Sequence, residues 1–237
     1  MAPWAMRLVV AAALLAASIA AAAARTVDLA LVLAVDVSGS VNTERFELQR
    51  QGYAKAFASR EVIDAIAAGE NRTIAVTLVE WSGATHQRQM IGWTLITDAE
   101  SALAFGSAIS EAPRAFADWT SISGALDFAL ALFDQVEGVK AVRRVIDVSG
   151  DGINNNGRPI NDARGDVVTA GITINGLPIL SEYPTLDDYY RDNVIGGPGS
   201  FVVAVSDFDA FGNAILGKLV REIAGRDAQA PFRFADR

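Results

Sequence analysis

The sequence predicts a doubly wound α/β fold, a mostly parallel sheet with helices on both faces. Three observations predict it. Strand-like and helix-like segments alternate from residue 28 to the end, the pattern of repeated strand–helix units. The run Leu29-Ala30-Leu31-Val32-Leu33-Ala34-Val35 is apolar at every position, as in a strand covered on both faces rather than one. The helix-like stretches are amphipathic: Ile122, Leu126, Ala129, Phe133 and Val136 recur at helical spacing, as do Phe211, Ile215, Leu219 and Ile223, so one side of each can pack on the sheet.

After the first strand a helix is expected over 43–58. Thr73 to Trp81 and Gln89 to Leu95 are rich in β-formers and adjoin without a helix, so they predict a hairpin and one antiparallel strand. Helices follow at 98–111 and 120–136, then a strand over Val142 to Ser149, a helix at 158–169 and a strand over Gly171 to Asn175. The connection "GLPILSEYPTLDDYYRDNVIGGPGS" is rich in turn formers and long for its place, which fits a binding loop or a packed insertion. Within it Leu186 to Val194 is expected to form a short helix. A strand over Phe201 to Ser206 and a helix at 209–224 close the series.

Residues 1–24 carry one charge, Arg7, then an Ala/Leu/Val-rich core and a run of small residues, the three regions of a secretory signal. Cleavage is expected near Ala24; uncleaved, the same run is long enough for a marginal membrane anchor. Residues 25–237 are expected to form one domain, periplasmic or secreted, touching a membrane only if that segment stays attached. Removing residues 1–24 and their single charge takes 237 residues at −8 to 213 at −9, a size that one α/β domain fills. An acidic chain without a dense Lys/Arg block argues against a nucleic-acid surface. The absence of cysteine excludes disulfides, thiolate metal sites and thiol catalysis. A metal would have to use oxygen, or the single histidine, His86.

The first strand stops on Asp36 and continues in "DVSGSVN" with Ser38 and Ser40. In open α/β sheets ligand groups gather beyond the carboxyl ends of the strands, where strand order reverses. "VIDVSGDG" carries Asp151 to a second strand end, and "DWTSISGAL" puts Thr120 at the start of a helix. If the two strands are central neighbours, five oxygen-bearing side chains converge. Such a set suits Mg²⁺, which takes six oxygens at about 2.0–2.1 Å and usually keeps water or ligand oxygens in its shell. Mn²⁺ and Ca²⁺ fit the same donors. With only two carboxylates and an open position, the ion would attract an anionic group from a partner.

On these residues the chain resembles the von Willebrand factor A-type domains, which include the integrin inserted domains. Asp36-x-Ser38-x-Ser40, Thr120 and Asp151-Gly152 are similar, in order, to their metal-ion-dependent adhesion site, and the resemblance spans roughly residues 26–225. It implies a six-stranded sheet with one antiparallel edge strand. It also implies that Ser38, Ser40 and Thr120 bind the ion directly, with Asp36 and Asp151 acting directly or through water. A partner protein's Asp or Glu carboxylate would complete the shell. "INGLPI", "YYRDNVIGGPGSF" and "AILGKLVREIA" resemble an uncharacterised exported bacterial subgroup of that family. One departure is Gly150, between Ser149 and Asp151, where the family commonly has a hydroxyl residue.

Other readings use the same residues. Ser, Asn and Asp after a strand also make ordinary turns and helix caps. Asp36, Ser38, Ser40, Asn42 and Glu47 fall at the spacing of a calcium-binding EF-hand loop, but Val41 stands where its turn glycine belongs and a strand precedes it. No phosphate-binding Gly-Lys-Ser/Thr loop and no Gly-x-Ser-x-Gly elbow occurs. His86 lies in a hairpin turn and completes no Ser-His-Asp set, so no catalytic residue is assigned. The alternatives to carboxylate capture are a metal-dependent envelope hydrolase, or a structural metal with binding through the 176–199 insertion and its Tyr189 and Tyr190. Asp118, Trp119 and Asn154 are candidates for the rim or an outer layer of the site; Trp81 and Trp93 read as sheet packing, and Asp147 as a buried structural pair.

Overall fold

A computed structural model of the chain describes residues 24–225. Residues 1–23, which hold nearly all of the expected signal segment, lie outside it. Five strands, β1 (Arg25–Asp36), β2 (Ile74–Trp81), β3 (Gln87–Ile96), β4 (Val139–Gly150) and β5 (Thr173–Pro178), form one sheet in the order β3-β2-β1-β4-β5. All pairs are parallel except β2–β3. The helices are α1 (Thr43–Phe57), α2 (Arg60–Ala67), α3 (Ala99–Glu111), α4 (Ile122–Leu132), α5 (Ile160–Thr169), α6 (Leu186–Tyr189) and α7 (Phe211–Ala224). A π-turn, Tyr190–Val194, extends α6. Among the described residues no helix is long and apolar enough to cross a membrane.

The unbroken apolar run of β1 follows from its central position. Leu29, Leu31 and Leu33 face a layer made by α1, α2, α3 and α7, whereas Ala30, Val32 and Ala34 face α4, α5 and α6. A strand covered on both faces has no polar position to keep. The one helix missing from the expected series is α2, a short segment that starts where the Ser59 hydroxyl accepts from Val62 N at 3.2 Å.

The sixth strand is reduced to bridges. Residues 201–205 run parallel to β5, with Gly176 N–H donating to Phe201 O at 3.0 Å and Val203 N–H to Gly176 O at 3.0 Å. The next rung would need a donor at residue 178, and Pro178 has none. Val205 N–H still reaches Pro178 O at 3.1 Å, so the segment lies along the sheet without forming a continuous ladder. The sheet is therefore five-stranded rather than six-stranded, for want of one N–H.

Strand order changes direction at β1, with β2 added on one side and β4 on the other. The carboxyl ends of β1 and β4 are neighbours, paired up to Val35 opposite Ser149. Asp36 and Asp151 leave the sheet side by side, at the point where α/β folds collect ligands.

Candidate metal centre

Three loops meet beyond β1 and β4. The first, residues 37–41, is held from both sides. Val37 N–H donates to Trp81 O at 2.9 Å, Gly39 N–H donates to Asp118 O at 2.7 Å, and Arg114 donates to Val37 O and Ser38 O at 2.9 and 3.0 Å. Asn42 then caps α1, its Oδ1 accepting from Arg45 N at 2.9 Å, and Glu47 pairs with Arg50 at 2.7 Å. Both side chains of the EF-hand spacing are thus engaged away from the serines.

The second loop carries Thr120 just ahead of α4, whose cap is Ser121 rather than Thr120. The third carries Asp151 and Gly152. Asn155 joins the two, accepting from Thr120 N at 3.0 Å through its side chain and donating its own N–H to Thr120 O at 3.0 Å. A Cβ on Gly152 would stand 3.3 Å from Thr120 Oγ1, so a side chain there would crowd the hydroxyl. Asn154 braces the loop instead of facing the cleft, accepting from Ser123 N at 2.9 Å and donating to Arg158 O at 3.2 Å.

Four of the five predicted residues, Asp36, Ser38, Ser40 and Asp151, form a chain of contacts. Asp36 Oδ1 accepts from Ser38 N at 2.7 Å, Ser38 Oγ and Ser40 Oγ are 3.3 Å apart, and Ser40 Oγ donates to Asp151 Oδ1 at 2.6 Å. Thr120 lines the same cleft as Ser40 and Gly152. Asp36 and Asp151 are fully buried, and Asp36 Oδ2 has no hydrogen-bond partner. Among the described residues the cation paired with Asp151 is Arg45, whose Nη1 lies 3.5 Å from Asp151 Oδ2 but 2.7 Å from Glu182 Oε1. Burial, then the charge of Asp151, pushes the Asp36 carboxyl up to about 7; burial also raises Asp151. Two buried carboxyls beside the Ser38 and Ser40 hydroxyls, with Thr120 in the adjoining cleft, form an oxygen set suited to a hard divalent cation.

The cleft above this set has a volume of about 480 Å³ and is lined by Ser40, Thr120, Asp118, Trp119, Glu182 and Tyr183, among others. Trp119 is 63% exposed and Tyr183 44%. Asp118 pairs with His86 Nδ1 at 2.9 Å, and the His86 ring stacks on Phe116. Trp81 is wholly buried and Trp93 donates to Leu132 O at 3.0 Å, so both pack. Sequence reasoning missed the individual roles of Asn155, Glu182 and Tyr183. The only signals were the polar run "GINNNGRP" and the length of the 176–199 connection.

These acids set a pH dependence. Asp36 is raised to about 7, as is buried Glu80, by desolvation opposed by the Ala115 N–H. A carboxyl raised above its unfolded value near 4 contributes stability that is present below pH 4 and lost as pH rises through 7. Asp28, Asp98 and Asp207 are lowered and lose their contribution only on acidification below the usual carboxylate range. With EDTA present, the urea midpoint is therefore expected to fall between pH 5 and pH 8. A midpoint that rises over that interval contradicts the assignment.

A search of curated proteins finds no match to the sequence. The fold is that of von Willebrand factor A domains. A von Willebrand factor type A protein from Catenulispora acidiphila superposes with TM-score 0.61 at 17% identity, over 83% of this chain and 43% of that one. Proximal thread matrix protein 1 from the mussel byssus, in a structure with a zinc-occupied MIDAS motif, gives TM-score 0.58 at 16% identity, over 84% and 46%. The chain thus spans less than half the length of these two proteins. It spans 99% of the vWF domain of the type V pilus tip protein Mfa5 from Porphyromonas gingivalis, with TM-score 0.59 at 10% identity and 88% of this chain covered. The family model described as "Protein of unknown function (DUF1194)" matches residues 26–227, and the chain belongs to that family.

Proposed function

We propose that this chain is an exported binding module in which Asp36, Ser38, Ser40, Thr120 and Asp151 hold one divalent cation, foremost Mg²⁺, that captures a carboxylate of a protein partner. The observation that carries this reading is two fully buried carboxyls at one strand switch point, with the Ser38 and Ser40 hydroxyls in contact beside them and one Asp36 oxygen left without a partner. Buried carboxylates persist where they are paired or coordinate a metal. The zinc-occupied motif of the mussel thread protein and the pilus-tip setting of the Mfa5 domain support adhesive binding.

Bound there, the cation supplies a positive centre with room for one anionic oxygen. Asp36 and Asp151 provide its charge balance. Ser38, Ser40 and Thr120 add neutral oxygens, which complete coordination without cancelling attraction for a further anion. Ser40, donating to Asp151 Oδ1 at 2.6 Å, keeps that carboxylate turned toward the serine pair. Arg45 steadies the outer oxygen of Asp151.

The rim narrows the partner. Trp119 and Tyr183 present exposed aromatic surface, and Asp118 and Glu182 present acidic groups, in the cleft beside the set. A carboxylate accompanied by an arginine would meet both, through cation–π contact and charge-assisted hydrogen bonds. The 176–199 connection takes part in this reading, because Glu182 and Tyr183 belong to it. Tyr190 is fully buried and the Tyr189 hydroxyl accepts from Asn154 N at 3.2 Å, so this tyrosine pair is not a free partner surface.

The test is a calorimetric titration with an acetylated Gly-Asp-Arg-Gly peptide in Mg²⁺. Binding is expected in Mg²⁺ and lost with EDTA or with asparagine in place of aspartate. Binding that survives chelation would overturn the reading.

A further inference from the structure

Tyr190 occupies a slot cut by two glycines. A Cβ on Gly176 of β5 would lie 2.6 Å from Tyr190 Cδ1, closer than any packed core accepts. A Cβ on Gly150, at the end of β4, would lie 3.0 Å from Tyr190 Oη and 2.8 Å from Asp36 Oδ2. The phenol oxygen and the carboxylate oxygen therefore converge on one space, kept open by the missing side chain. Both atoms are buried and neither has a hydrogen-bond partner.

Packing alone does not account for this tyrosine. A phenylalanine would fill the same slot without leaving a buried hydroxyl unsatisfied. The π-turn Tyr190–Val194 aims the ring inward, and such turns recur at functional sites. The preceding residue fixes its height over the site through the Tyr189–Asn154 hydrogen bond. A neutral phenol whose oxygen shares a gap with a buried carboxylate oxygen can serve it as a donor.

We infer that Tyr190 is an internal positioning residue of the metal centre: its hydroxyl and Asp36 Oδ2, each without a partner, face one gap beside Gly150, and with the cation bound the hydroxyl donates across that gap, directly or through one water, and keeps this carboxylate aimed at the cation. The inference rests on the cation reading above and adds a fourth element, the π-turn of the long connection, to the three loops. Glycine at position 150 then has a stated use: it clears the path between the two oxygens.

The experiment is Mg²⁺ titration of the full chain by calorimetry and thermal unfolding for wild type, Asp36→Asn and Tyr190→Phe. Tyr190→Phe is expected to keep or raise its midpoint in EDTA while binding Mg²⁺ on the order of tenfold more weakly, the loss of one hydrogen bond to a charged group. The Mg²⁺-induced tyrosine ultraviolet difference signal is expected to shrink in that variant. Unchanged Mg²⁺ affinity in Tyr190→Phe, with wild type binding and Asp36→Asn not, overturns this inference and leaves the cation reading intact. No Mg²⁺ binding by wild type overturns both.

Discussion

Lys218→Met is expected to lower stability by about 3–5 kcal/mol at pH 7.5, the range found when one partner of a buried ion pair is removed. For a chain of this size that lowers the thermal midpoint by roughly 6–20 °C. Lys218 is 1% exposed and lies between two buried carboxylates: its Nζ donates to Glu222 Oε1 at 2.6 Å and pairs with Asp147. Asn175 donates to the same Glu222 oxygen at 2.9 Å and accepts from Phe201 N at 3.0 Å. One ammonium thus ties α7 to β4, with β5 and the 201–205 segment joined through Asn175. Removing it leaves two carboxylates in the core, and burial with the charge of Glu222 already raises Asp147 against the pull of Lys218. Asp147, already raised to about 7, can take up a proton, so the deficit is expected to shrink at pH 5. Adding Asp147→Asn and Glu222→Gln should recover much of it. A loss below about 1 kcal/mol by urea unfolding would show that the triad does not hold α7.

Asp36→Asn is expected to abolish stabilisation by divalent cations without unfolding the chain. Mg²⁺ at a hundredfold excess over its dissociation constant adds about 2.7 kcal/mol, a midpoint rise of roughly 5–10 °C at this length. The amide keeps the shape of Asp36 and can still accept from Ser38 N through Oδ1, but it cannot supply the charge. At pH 8 the carboxylate carries a burial cost that the amide lacks, because Asp36 is raised to about 7. The midpoint in EDTA is therefore expected to stay level or rise while the Mg²⁺ response disappears. General damage to the fold would lower both. A full Mg²⁺ response in Asp36→Asn would remove Asp36 from the site.

The centre of the sheet, and the convergence of Asp36, Ser38, Ser40 and Asp151 at the carboxyl ends of its strands, were legible because each is written locally. An apolar run seven residues long, ending on Asp36, needs no partner to be read as a covered strand; "DVSGSVN" and "SGDG" carry their oxygens at fixed offsets from strand ends. Three features were not legible, each depending on atoms distant in sequence. The edge segment fails as a strand through one missing donor, Pro178, opposite residues that follow 23 or more positions later. Asp147 reads as a buried charge needing a partner, but nothing near it names Lys218, 71 positions away on α7. Gly150 reads as a departure from a pattern until Tyr190, 40 positions on, is seen to need its space.

The central claim is that Asp36, Ser38, Ser40, Thr120 and Asp151 hold one divalent cation. Calorimetric titration of the chain with Mg²⁺ at pH 8 tests it most directly, with Asp36→Asn and Thr120→Val alongside wild type. One ion per chain in wild type, and none or a much weakened one in both variants, is the result predicted. No heat of binding at millimolar Mg²⁺, or equal binding in all three proteins, would contradict it.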